Sequence, residues 1–176
     1  MKPITTALFP LLLAGCYGPP PPERILAAAS LVRADGSAAG TVAVIEEPAG
    51  LVLRIDARAL PPGRHGVHVH AVGRCDAPAF TSAGPHWNPG TRQHGHNNPA
   101  GYHQGDLGSV GIGADGRLIV GLLVPGTSLH QARLSAPLVL GDADGAALVI
   151  HADPDDERTD PSGNSGARIA CAVLAG

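Results

Sequence analysis

Hydrophobic positions in this chain come in short runs separated by turn residues. Ile25 to Val32 is apolar and stops at Ala34-Asp35-Gly36. Thr41 to Ile45 is β-branched and precedes Pro48. Leu51, Leu53 and Ile55 recur every second residue, which puts them on one face of a strand. After the break at Pro61-Pro62-Gly63 a further strand is predicted over Gly66 to Val72. A long polar stretch follows, from Gly73 to about Leu107. Ser109 to Gly113 and Arg117 to Leu123 flank Asp115-Gly116, which reads as a hairpin. Asp144-Gly145 precedes a strand from Ala146 to His151, a second long loop runs from Ala152 to Gly166, and Ala167 to Leu174 closes the chain. No stretch carries a convincing helical period. About eight short strands with two outsized loops predict an all-β antiparallel sandwich or barrel. Long loops in a compact β domain usually carry the function.

Composition agrees with that pattern. The chain has 176 residues, 44% of them hydrophobic but only 3% aromatic, so the core must be built from Val, Leu, Ile and Ala. With 24 glycines and 17 prolines, turns are many and elements short. A net charge of −3 excludes a strongly basic nucleic-acid footprint, although a local field can still favour an anionic substrate.

The first residues have a separate logic. Met1-Lys2 and the apolar run Ile4 to Ala14 form a secretory signal pattern, too short to span a bilayer permanently. Leu13-Ala14-Gly15-Cys16 resembles the bacterial lipobox. That resemblance implies a signal peptide over residues 1–15, a lipid on Cys16, and a protein of the cell envelope tethered to a membrane. Gly18 and the four prolines Pro19 to Pro22 suit a semi-rigid spacer, so residues 16–24 read as a linker and residues 25–176 as one domain. If Cys16 carries lipid, Cys75 and Cys171 remain as a pair. Export makes a disulfide between them the default. It would close a loop worth roughly 4–5 kcal/mol in the chain-entropy account.

Nine histidines are many for this length, and their placement matters more than their number. His68 and His70 stand two apart on a strand, so both imidazoles can reach one metal ion; two exposed surface histidines would show the same spacing. The polar stretch supplies His86, His94, His96 and His103, followed by Asp106, and His151 opens the second loop. Imidazole and carboxylate donors of this kind suit copper and zinc. The histidines are dispersed among Pro, Gly and Asn at irregular spacings, unlike a low-complexity metal-buffering tract.

Five segments occur in order: His65 to His70, Ser82 to Pro89, His103 to Gly108, Leu148 to His151, and Gly163 to Cys171. Together they resemble the motif series of bacterial copper/zinc superoxide dismutases. The resemblance covers nearly everything after residue 25. It implies an eight-stranded Greek-key β-barrel, with superoxide as substrate and one copper and one zinc per subunit. Copper would be held by His68, His70, His86 and His151, and zinc by His86, His94, His103 and Asp106, with His86 shared. Asp155 would link a copper-site histidine to a zinc-site histidine, and Arg168 would steer the anion. His65 matches a structural histidine, and His96 and His130 match surface positions. Val67 stands where the family usually has Phe, removing aromatic bulk near the copper strand, and Trp87 where Phe is common. The resemblance leaves monomer and homodimer both open. The rival reading is a copper or zinc carrier on the same scaffold, which would have no use for Arg168.

Overall fold

The structure is a computed structural model and describes residues 23–131 and 138–176. The signal pattern, Cys16 and the proline spacer lie outside the described residues. Among the described residues ten strands follow one another: β1 (Arg24–Arg33), β2 (Ala38–Glu47), β3 (Gly50–Ala57), β4 (Gly63–His70), β5 (Asp106–Ile112), β6 (Leu118–Pro125), β7 (Thr127–Ser128), β8 (Leu138–Val139), β9 (Ala146–His151) and β10 (Arg168–Ala175). Eight of them make one antiparallel sheet in the order β5-β4-β9-β10-β1-β2-β3-β6; β7 and β8 form a two-residue parallel pair. The only helical element among the described residues is a 3₁₀ turn at Thr81–Ala83.

The sheet curls until its edges, β5 and β6, approach with Cα atoms within 8 Å, giving a nearly closed barrel. The chain crosses between β3 and β4 and again between β6 and β9 in Greek-key fashion. Alternation along the strands decides what faces inward. Leu51, Leu53, Ile55 and Ala57 on β3, Val42 and Val44 on β2, Val67 and Val69 on β4, and Leu148 and Ile150 on β9 pack into one aliphatic core. Only Trp87 adds an aromatic ring to it.

Two sequence expectations need correction. The turn at Asp115-Gly116 forms, with the Gly116 N–H donating to Gly113 O at 2.9 Å and Gly116 at φ +70°, but it does not make a hairpin. β5 pairs with β4 and β6 pairs with β3, so the turn joins the two edges of the sheet across the seam. Turn chemistry is local; the ladder partner of each strand is chosen by barrel closure. β4 also begins and ends earlier than the run Gly66 to Val72 suggested. Past His70 the chain turns away, and Ala71 and Val72 donate instead to Pro85 O and Ala83 O of the long loop.

Candidate metal centre

The histidines occupy the outer face of the barrel, because β4 divides its side chains by parity. Val67 and Val69 enter the core, so His68 and His70 point the other way. The register with β9 sets His68 opposite Val149 and His70 opposite Ala147, and His151 shares that outward parity. Ala147, Val149 and Cys171 form a second, small cluster with Phe80 and Ala83 of the long loop. Small side chains there let the loop lie close on the sheet. The Cys75–Cys171 disulfide, with Cα atoms 5.7 Å apart, fastens it. Further along, the Val69 N–H donates to Gly105 O, and the Trp87 N–H donates to Val69 O. A side chain at Gly105 would sit 2.3 Å from Val69 O, so only glycine permits this approach. The result sets His86 directly across from His70.

His68, His70, His86 and His151 each bring one ring nitrogen to within 4.8 Å of the others. Their remaining nitrogens are committed. His70 Nδ1 donates to Gly84 O at 2.8 Å, His151 Nδ1 to Gly166 O at 3.3 Å, and His68 Nε2 to Asp155 Oδ2 at 2.8 Å. That turns His70 Nε2 and His151 Nε2 toward each other, 3.4 Å apart. It also leaves His68 Nδ1 and His86 Nε2 buried without a hydrogen-bond partner. Burial is the main reason His70, His151 and His86 stay neutral: it lowers His70 to about 2, His151 to about 3 and His86 to about 4. Neutral imidazoles with converging lone pairs are what a copper ion requires.

The second cluster contains His86, His94, His103 and Asp106. Asp106 Oδ1 lies 2.8 Å from His86 Nδ1, 3.1 Å from His94 Nδ1 and 3.2 Å from His103 Nδ1, and His103 Nδ1 lies 3.4 Å from His86 Nδ1. Tetrahedral donors about 2 Å from a zinc ion stand roughly 3.3 Å from one another, so this set fits zinc. Asp106 is aimed by its other oxygen, Oδ2, which accepts the backbone N–H of His103 at 2.9 Å and of Gly95 at 3.0 Å. Burial opposes the charge of Asp106, but its bonds to His86 and His94 win and hold it well below the usual carboxylate range. Burial likewise opposes a charge on His94, yet hydrogen bonds to Asp106 and Asp155 raise it to about 10.

Asp155 joins the two clusters. Its Oδ2 accepts from His68 and its Oδ1 lies 2.9 Å from His94 Nε2. The Asp155 N–H donates to Ser109 Oγ at 2.9 Å. Arg168 lines a cleft of about 220 Å³ together with His70, Pro85, His86, His151, Pro161, Ser162 and Gly166. Its guanidinium is held by two loop carbonyls, donating to Phe80 O and to Gly84 O, each at 2.7 Å.

The remaining histidines belong to neither cluster. His65 is buried, its Nδ1 2.8 Å from His151 O. His96 is exposed, stacks on Tyr102 and lies 2.9 Å from Glu157 Oε2; His130 is exposed. Val67, on the strand that carries His68 and His70, sends its side chain into the barrel core. Sequence reasoning missed the carbonyls of Phe80 and Gly84, which carry no residue signature. It also missed Ser109 and the reason for Gly163, where a Cβ would lie 1.9 Å from Asp155 Oδ1.

Comparison with known proteins agrees with this geometry. The model of the copper/zinc superoxide dismutase family matches residues 38–174. The superoxide dismutase-like protein YojM of Bacillus subtilis is 44% identical over 83% of this chain and 74% of its own length. A Cu-Zn superoxide dismutase of Caulobacter vibrioides is 42% identical over 84% of each chain. The crystal structure of a double mutant of a SOD-like protein from Bacillus subtilis superposes with a TM-score of 0.80 at 44% identity, covering 85% of this chain and 97% of that one.

Proposed function

The chain belongs to the copper/zinc superoxide dismutase family, and we propose that it converts two superoxide anions and two protons into dioxygen and hydrogen peroxide. His68, His70, His86 and His151 would hold copper, and His86, His94, His103 and Asp106 would hold zinc. The observation that carries this assignment is the position of His86: Nδ1 belongs to the second cluster, while Nε2, buried and unpartnered, faces the first. Copper supplies one-electron chemistry between Cu(II) and Cu(I), whereas zinc, which does not change oxidation state, organises the loop.

The chain's own groups do the rest. Arg168 presents a permanent positive charge at the cleft, which draws a small anion toward it. Pro161 and Ser162 form part of the wall of the cleft that leads to His70, His86 and His151. His86 lines the same cleft, where its ring can hand a proton to departing peroxide. A metal carrier would gain nothing from a guanidinium fixed by two carbonyls beside the ligands.

The envelope location and the lipid on Cys16 are part of the same proposal. They are supported by the signal pattern, by the residues that resemble a lipobox, and by the disulfide, which suits an oxidising compartment. Partition of the mature protein with membranes, abolished in Cys16→Ser, tests that part; a Cys16→Ser variant that still partitions with membranes would overturn it. For the metal assignment, copper paramagnetic resonance is recorded with and without zinc. A shared His86 makes the copper spectrum change when zinc is removed; an unchanged spectrum would mean that the two sites share no ligand.

A further inference from the structure

The second loop sends two carboxylates toward the zinc cluster, and the family pattern accounts for only one. Asp155 serves His68 and His94. Asp160, five residues further on, lies in a run of acids that would pass for a solvated stretch. Its side chain is half-exposed, yet its Oδ1 accepts the His94 backbone N–H at 2.7 Å. The same oxygen stands 3.8 Å from His103 Nε2. His103 is buried, and its Nδ1 is turned toward Asp106 and His86. When Nδ1 is given to a metal, Nε2 carries the ring proton. No other carboxylate among the described residues lies within 4.0 Å of that nitrogen. Histidine ligands regularly donate their second N–H to a carboxylate, which fixes the tautomer and the ring orientation. His94 and His68 have such a partner in Asp155, and His86 gives both nitrogens to the two clusters. For His103, Asp160 is the carboxylate nearest to Nε2 among the described residues. The next two residues, Pro161 and Ser162, form part of the cleft wall.

We propose that Asp160 is a positioning residue of the zinc site: it sets a negative charge 3.8 Å from His103 Nε2, pins the His94 backbone, and ties the cleft wall to the zinc loop. This rests on the reading that His86, His94, His103 and Asp106 hold zinc. The contrast is Asp156, in the same loop, whose carboxylate bonds only within it, to the N–H groups of Arg158 and Thr159, to the Thr159 hydroxyl and to Asn164 Nδ2.

The test is zinc affinity, measured by competition with a chromogenic chelator on the purified full chain, together with the visible spectrum of cobalt bound in place of zinc. Asp160→Ala is expected to weaken zinc about tenfold or more, the usual cost of losing such a partner. Asp160→Asn keeps an acceptor for the His94 N–H and should lose less, while still shifting the cobalt bands. Asp156→Ala should lower the melting temperature but leave zinc affinity within about twofold of wild type and the cobalt spectrum unchanged. Zinc affinity in Asp160→Ala within that same margin, or an equal loss in Asp156→Ala, would overturn the proposal. A wild-type protein that binds no zinc would instead overturn the assignment beneath it, and the proposal with it.

Discussion

Arg168 and His70 meet on a single oxygen atom: the carbonyl of Gly84 accepts the guanidinium at 2.7 Å and the imidazole Nδ1–H at 2.8 Å. One loop residue therefore sets both the direction of a ring in the first histidine cluster and the position of the cleft's cation. The Phe80 carbonyl supplies the second hold on Arg168, and Phe80 itself is fully buried over the outer face of the sheet.

Arg168→Ala removes the charge but leaves His70 its bond to Gly84. Turnover should fall about tenfold or more at low salt, since local steering is worth that much, with copper content unchanged. Arg168→Lys should fall between the two, because an ammonium cannot fork to both carbonyls. Stopped-flow superoxide decay alongside metal analysis checks this. Unchanged turnover in the alanine variant would remove Arg168 from the mechanism.

Asp155→Ala strands two buried N–H groups at once, on His68 Nε2 and His94 Nε2. Both metals should be held about 10- to 100-fold more weakly, in contrast to Asp160→Ala, which should touch zinc alone. Chelator titration followed by metal analysis separates the two patterns. Loss of one metal only in Asp155→Ala would contradict the bridging role.

Gly163 sits at φ +63°, and a Cβ there would lie 1.9 Å from Asp155 Oδ1 and 2.6 Å from His94 Nε2. Gly163→Ala should therefore displace the Asp155 carboxylate, costing about 1–3 kcal/mol from overpacking and backbone strain, and lower zinc retention as well. Denaturant unfolding of the metal-free and loaded forms reads both effects. A variant with wild-type stability and zinc content would show that the loop can shift away at no cost.

The metal-free protein should be most stable near pH 6.5. Below that value the unfolded chain takes up protons that buried His86, His151 and His70 refuse until about pH 4, 3 and 2 respectively. Each such ring removes up to about 1.4 kcal/mol per pH unit as pH falls. Asp106 and Asp155, lowered in the fold, add a further loss below the ordinary carboxylate value of 3.8. His94 acts in the opposite sense: raised to about 10, it contributes stability that is complete below pH 6.5 and is lost as pH climbs. Melting temperatures across pH 4–10 check the profile. A flat curve on the acid side would mean that these rings are not buried neutral in the folded protein.

Much of this was legible in the chain. Alternate spacing placed His68 and His70 on one face, and the same parity sent Val67 and Val69 into the core. The aliphatic composition foretold a barrel filled by Val, Leu and Ile. The partners of β5 and β6 were hidden, because Asp115-Gly116 specifies a turn and not the strand beyond it. The carbonyls of Phe80 and Gly84 were hidden too, since backbone oxygens leave no residue signature. Asp160 could not be told from its acidic neighbours until the fold brought it to His94 and His103.

The central claim is tested most directly by superoxide decay with the protein loaded with copper and zinc, then selectively stripped of copper while zinc remains. Rapid turnover that disappears with the copper and returns on its replacement is the predicted result. Full binding of both metals without turnover would contradict it, leaving the His68, His70, His86 and His151 cluster as a binding site rather than a catalytic one.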